Sequence, residues 1–389
     1  MTRPISPLWI VLALWGAGLG AAAQFAKIAV IFNQLAQTYS DAGATALGLL
    51  VSVVGFVGLI FGTTSGLLVQ RFGYRRVLVT ALAAGAVLSA LQSLMLPLPV
   101  MLVLRVVEGA SHLSIVVAAP VLIAQVTPIA RQGLAMTLWS SFFAVTFAVM
   151  AWVGTPLAQA YGPGALFLAH ATYMAVFAGL ILVILPKDTP AAPASLTLSH
   201  LIRQHASIYA SPRIAAPAMG FMCYTITYVA LLTLLPPMVG SAHQTLIATA
   251  MPVVSIAVSL TLGVWLLGQI SAVSAVIAGF AVAVVASVAL WAGWGQGDWM
   301  LGASLALAGA LGLVQGASFA AIPQLNASGD DRAKAAGAIA QLGNLGTTSG
   351  TPILSYLILS FGISGLSAFV IVFSLAGIGL HLLQARRRD

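Results

Sequence analysis

Three side chains able to carry charge or move a proton stand close together in this sequence: Arg105, Glu108 and His112. Their i, i+3, i+7 spacing places all three on one face of a helix. They lie inside the apolar run 99–125, which is long enough to cross a bilayer. A charged side chain at the centre of a membrane helix costs about 2.5–3.5 kcal/mol on insertion scales. Charges kept at that cost point to a substrate or proton pathway. The same spacing also fits a structural Arg105–Glu108 pair that locks helices together.

A second intramembrane cation, Lys27, stands in another apolar run, with Gln24 one turn before it. Two cations facing one hollow repel unless an anion sits between them. A carboxylate on a solute is a natural partner, and an arginine can hold it with two hydrogen bonds. Lys27 can instead snorkel to the headgroups or pair with Glu108. Glu108 is the one carboxylate within a predicted span, so it is the expected proton-coupling group. Burial raises the proton affinity of such a group and a neighbouring cation lowers it. His112, one turn on, fits a proton relay and equally fits a hydrogen bond to a neighbouring helix. Tyr224, Tyr228, Gln341 and Asn344 are softer candidates for solute contact, and interhelical hydrogen bonding explains each of them as well. His170 and His381 are assigned no role. No metal is expected, because His112 has no second ligand at metal spacing nearby.

The elements that position these groups follow from composition. Of 389 residues, 60% are hydrophobic and 6% charged, against about 25% charged in soluble domains. Such a chain is an integral membrane protein. Its apolar runs exceed strand length, so they are helices rather than barrel strands. The start, Met1 to Ala23, imitates a secretory leader, but the apolar stretch continues to Phe32 and reads as the first span. With Cys223 as the single cysteine, no internal disulfide forms.

Twelve spans are expected, near 8–32, 43–69, 77–96, 99–125, 133–160, 164–185, 214–239, 246–268, 271–293, 299–323, 335–360 and 363–384. With the amino terminus inside, thirteen of the fifteen Lys and Arg residues fall on the cytoplasmic side. The other two are Lys27 and Arg105. This pattern predicts a multi-pass protein of the plasma or inner membrane with both termini cytoplasmic. The net charge of +8 then reads as a topogenic signal and a contact for anionic lipid, not for nucleic acid. On that topology Lys27 lies about 8 Å and Arg105 about 9 Å below the outer ends of their helices, at 1.5 Å per residue.

The interval Lys187 to Arg213 is the longest polar one and holds Pro190, Pro193 and Pro212. It reads as a cytoplasmic linker, with a surface helix at 196–209, between an amino-terminal bundle (1–186) and a carboxy-terminal bundle (214–389). The halves echo each other. Val107-Glu-Gly-Ala-Ser111 in span four returns as Val314-Gln-Gly-Ala-Ser318 in span ten. Gly154-Thr-Pro in span five returns as Gly350-Thr-Pro in span eleven. A six-plus-six repeat is the design of alternating-access carriers.

The second inside loop carries Gly66, Gln70, Arg71, Gly73, Arg75 and Arg76. It resembles the signature loop of the major facilitator superfamily, Gly-x-x-x-Asp-Arg-x-Gly-Arg-Arg. Arg105-x-x-Glu108-Gly109 is similar to that family's span-four Arg-x-x-Gln-Gly, and Gly154-Thr-Pro156 to a degraded span-five Gly-Pro motif of its antiporters. The resemblance implies an all-α fold of twelve transmembrane helices in two pseudo-symmetric six-helix bundles, with spans one, four, seven and ten lining a cavity. It also implies that the loop is a conformational motif. Where the family has an aspartate, this chain has Gln70, which implies a weaker or differently built cytoplasmic latch. The second-half copy of the loop, near Leu267 to Ser271, is missing, as is the Gly-Pro-x-x-Gly-Gly ending of span five.

These features predict a secondary transporter that moves a small organic anion by alternating access, coupled to protons. The alternative is a proton-driven exporter of drugs or amphiphiles, which the eroded span-five motif disfavours. An enzyme is not expected: the sequence holds no His-Glu-x-x-His, Gly-x-Ser-x-Gly or phosphate-cradling Lys motif. No cofactor is expected. The expected partners are a small-molecule solute, protons and membrane lipid, with the protein acting as a monomer.

Overall fold

A computed structural model describes residues 6–128, 135, 138–187 and 198–388. Among the described residues every regular element is helical. Among the described residues eleven helices are long and apolar enough to cross a membrane. The last of them, Gly329–Arg386, is far longer than one crossing and breaks at Gly362, whose φ of 56° and ψ of −134° are not helical. Glycine tolerates that backbone because it has no Cβ. The break divides this helix into spans eleven and twelve, so the described residues hold twelve helical segments in the predicted order.

The residues pack as two compact units. The first comprises Met1–Ile31 and Val53–Leu196, the second Phe32–Ser52 and Thr197–Asp389. Span two changes from α to a 3₁₀ turn at Val53–Gly55, where the division falls.

In the first unit, span one (Pro7–Ala29) starts with proline in its first turn, where the missing N–H costs nothing. Its middle is Gly- and Ala-rich and almost wholly buried. Small side chains let it sit deep among larger neighbours, close to Trp139 at Gly18 and Met174 at Gly20. Span four (Leu98–Val126) begins the same way, with Pro97 as cap and Pro99 in the first turn. It passes close to span two at Gly109, where an added Cβ would collide with the Val54 carbonyl oxygen. Span five carries a π-helical turn, Met150–Gly154, which ends two residues before Pro156.

In the second unit, the echo of Gly109 is Gly316 of span ten (Gly297–Leu325), which packs on Ser259 of span eight. Span eight has its own π-helical turn at Ser259–Gly263. Span seven (Ala215–Met238) lies against span eleven, where Gly346 and Gly350 bring the two backbones together at Met222 and Ile226. The expected linker helix is present as Leu198–Ala210. The last carbonyls around it are capped from the chain end: Arg387 Nη2 donates to Ala210 O at 3.1 Å and Arg388 Nη1 to Pro212 O at 3.1 Å.

Candidate functional site

The charged groups of the first unit meet inside its helices. Span four presents Arg105, Glu108 and His112 on one face, as the spacing requires. Span one contributes Lys27 to the same place. Lys27 Nζ donates to Glu108 Oε1 at 2.7 Å. Arg105 Nη1 donates to Glu108 Oε2, one helical turn away. Gln92, from span three (Tyr74–Gln92), donates to the same oxygen at 2.8 Å. All three ionisable side chains have 0% of their surface exposed.

The Lys27 ammonium has three protons to donate, and three acceptors surround it. Besides Glu108 these are Ser89 Oγ at 2.9 Å and His170 Nδ1 at 3.3 Å. The Phe167 ring centroid lies 5.2 Å from Nζ and adds a cation–π contact. Burying such charges is tolerable only when they are paired and hydrogen-bonded, and here each one is. Two cations share one carboxylate, so the cluster carries one positive charge in excess when its imidazoles are neutral.

The sequence led to an expectation that Lys27 and Arg105 face a hollow with an anion between them. In this structure they do converge on one anion, but it is the carboxylate of Glu108, and neither cation reaches solvent. His112 lies one turn further on. Its Nδ1 is 3.0 Å from the Ala21 carbonyl, and its ring meets Phe25 edge-on at 5.0 Å. A carbonyl only accepts, so His112 carries its proton on Nδ1, and that bond goes to span one rather than to Glu108. Gln24 donates to Ser111 Oγ at 3.0 Å, and Ser111 donates to Ala81 O at 2.7 Å, so these two tie spans one, three and four together beside the cluster.

His170 is the residue the sequence reading left without a role. It sits in span six (Pro163–Ile184) and is buried. Its Nδ1 is 2.9 Å from Ser89 Oγ and 3.3 Å from Lys27 Nζ, and its Nε2 is 3.0 Å from Gly20 O. Span six packs on both span one and span three, and this brings His170 to the cluster. Depth arithmetic was an available signal. His170 stands seven residues into its helix, about 10 Å at 1.5 Å per residue, the level inferred for Lys27 and Arg105.

Among its described residues the second unit has no such cluster. Gln315, the echo of Glu108, is neutral, and the predicted spans of this unit contain no Lys, Arg, Asp or Glu. Tyr224 and Tyr228 stack with centroids 5.0 Å apart. Phe221 continues the row at 5.3 Å from Tyr224 and touches Phe319 at 5.2 Å. Tyr224 is buried and its hydroxyl makes no hydrogen bond. Gln341 Oε1 accepts from Tyr209 of the linker helix at 2.7 Å. Asn344 Nδ2 bonds back to Ala340 O of its own helix at 2.7 Å. The structure thus gives Gln341 and Asn344 local partners.

Of the signature loop, the surroundings of Gly66 and the side chains of Gln70 and Arg71 lie outside what the structure describes. Gly73 has φ 88° and both ends span two and starts span three, which explains glycine there. Arg75 Nη2 donates to the Leu182 carbonyl at 2.6 Å, in the last turn of span six. A cation on the carbonyl end of a helix complements its dipole. Arg76 is exposed.

This architecture defines a polytopic helical carrier, and the comparisons with known proteins agree. The sequence profile of the Major Facilitator Superfamily matches residues 8–350, and the chain belongs to that family. It is therefore a membrane transporter of the secondary type rather than an enzyme. Among solved structures it is similar to one described as a bacterial homolog of the human lysosomal transporter Spinster, in an inward-facing, unoccupied conformation. The TM-score is 0.76 at 12% sequence identity, covering 99% of this chain and 98% of that one. At that identity the likeness speaks for the fold alone. No curated protein sequence matches the chain.

Proposed function

We propose that this transporter moves a small organic anion coupled to protons. The observation that carries the reading is the buried Lys27–Glu108–Arg105 cluster, with two cations around one carboxylate. A solute carboxylate can replace Glu108 on Lys27, on Arg105 or on both, because it offers the same acceptor geometry. Breaking the internal pair is affordable only when the incoming anion restores a partner, since a lone buried charge is strongly unfavourable. Exchange of partners at this cluster then links solute binding to the protonation of the groups around it. The positive-inside distribution supports placing both termini in the cytoplasm, and the protein acts as a monomer in contact with membrane lipid.

The test is uptake of labelled carboxylates into proteoliposomes, with and without a pH gradient. Accumulation driven by an inward proton gradient is expected. Full transport by a Lys27→Ala, Arg105→Ala double variant would remove the anion reading.

A second reading, export of amphiphilic compounds, is favoured by one observation. The row Phe221, Tyr224, Tyr228 with Phe319 offers aromatic faces, and the Tyr224 hydroxyl has no internal partner. Efflux of an aromatic dye abolished by Tyr224→Ala, with carboxylate uptake absent, would select this reading instead.

A further inference from the structure

Resting on the proton-coupled anion reading, we propose that His170 is the group that takes up the coupled proton, and that it does so when the Lys27 ammonium leaves its ring nitrogen. The inference starts from the tautomer. His170 Nε2 faces the Gly20 carbonyl at 3.0 Å. A carbonyl oxygen cannot donate, so Nε2 bears the hydrogen and the neutral ring has its lone pair on Nδ1. That lone pair faces Lys27 Nζ at 3.3 Å and Ser89 Oγ at 2.9 Å. Ser89 has one hydroxyl proton and a carbonyl acceptor of its own, Phe167 O at 2.8 Å. With Ser89 donating there, Lys27 is the donor left for Nδ1, and the 2.9 Å contact between Nδ1 and Ser89 Oγ carries no proton until Nδ1 gains one.

Two basic nitrogens in this contact hold one proton too few for both to be charged. An imidazolium facing an ammonium at this separation, away from water, is strongly repulsive. While Lys27 stays in place as an ammonium, His170 stays neutral. When Lys27 swings toward a solute carboxylate, Nδ1 loses its donor and is open to a proton from water. An N–H bond forms on Nδ1 as an O–H bond of hydronium breaks, and the new N–H has an acceptor waiting in Ser89 Oγ. The charged groups facing His170 are Lys27 of span one and Glu108 and Arg105 of span four, while Ser89 of span three is neutral. Of these, Lys27 is the one in contact with Nδ1.

Glu108 fits the proton-accepting role less well. Its two oxygens accept from Lys27, Arg105 and Gln92. A proton on that carboxyl would leave two buried cations without a counter-charge. His170 takes a proton only after one cation has already found a new partner, so anion and proton enter together and leave together.

The test uses the full-length protein in lipid nanodiscs with ¹⁵N-labelled histidine, the His170 signals being assigned by their loss in His170→Gln. At pH 6 the wild type is expected to show the neutral tautomer protonated on Nε2. In Lys27→Gln the imidazolium fraction of His170 at that pH is expected to rise at least fivefold. A wild-type ring protonated on Nδ1, or an unchanged fraction in Lys27→Gln, overturns the proposal. The tautomer itself is read on the wild-type protein, and His170→Asn replaces His170→Gln for the assignment should that variant fail to fold. A second arm adds lactate, benzoate and succinate in turn and follows proton uptake with a pH indicator. About one proton per bound anion is expected in the wild type and none in His170→Gln, with anion binding retained. If His170→Gln binds anion and still takes up the proton, this proposal falls while the anion reading stands. If no carboxylate binds the wild type, the anion reading falls, and the nanodisc arm still decides whether Lys27 controls the His170 proton.

Discussion

Lys27 Nζ and Glu108 Oε1 lie 2.7 Å apart across spans one and four, both sealed from solvent. Arg105 holds the other oxygen of the same carboxylate. One acidic group thus neutralises part of the charge of two basic ones, and this fixes what each substitution should do.

Glu108→Gln leaves two buried cations facing each other without a counter-charge. Removing one partner of a buried pair costs about 3–5 kcal/mol, so a large drop in melting temperature in detergent is expected. Combining it with Lys27→Met should recover part of the loss, because one of the stranded charges goes with it. In proteoliposomes Glu108→Gln should keep solute exchange but lose accumulation driven by a pH gradient, because Lys27 then has no internal carboxylate to exchange for the solute's and its release no longer gates the proton on His170. Intact accumulation would show that the carboxylate takes no part in coupling.

Gly109→Ala tests the close approach of spans two and four. The new Cβ would meet the Val54 carbonyl oxygen, a backbone atom that cannot rotate away. Overpacking of this kind costs about 1–3 kcal/mol. Gly316→Ala, its echo, would meet the Ser259 hydroxyl instead, which can turn aside. Thermal unfolding should therefore show the larger loss for Gly109→Ala, although the two positions occupy equivalent places in the repeat.

Arg75→Ala removes a charge-assisted hydrogen bond from the carbonyl end of span six. Hydrogen bonds to charged groups contribute about 1.5–3 kcal/mol, so a loss in the lower part of that range is expected. Faster hydrogen exchange at residues 180–184 would locate it. Arg75→Lys, which keeps the charge, should retain part of the effect.

Tyr209, on the linker helix, donates to Gln341 of span eleven at 2.7 Å. Partial burial pushes its hydroxyl up to about 12 from an ordinary value of 10. The folded form therefore holds this proton more tightly than the unfolded one. The contribution is complete below pH 10 and is lost as pH rises from about 10 towards 12. Hydrogen exchange of residues 198–210 should accelerate over that range. Tyr209→Phe should lose about 1 kcal/mol at neutral pH and show no such alkaline step.

The sequence alone determined the solvent this protein lives in, the number and order of its crossings and its family. Hydropathy is summed along the chain, so Pro7–Ala29 or Leu98–Val126 declares itself without reference to any other segment. The face shared by Arg105, Glu108 and His112 was likewise legible, because helical spacing is a local property. The partners were not. Lys27 and Glu108 are 81 residues apart, and Lys27 and His170 are 143 apart. Only helix packing decides which of several buried polar groups a long side chain reaches. That packing turned two cations expected to await a solute into a satisfied pair around Glu108. It also drew in Ser89, Gln92 and His170, each of which reads in isolation as one polar residue in an apolar helix. The physical reason is the cost of an unpaired charge away from water. It guarantees that Lys27 and Arg105 find partners, while leaving the choice of partner to the tertiary structure.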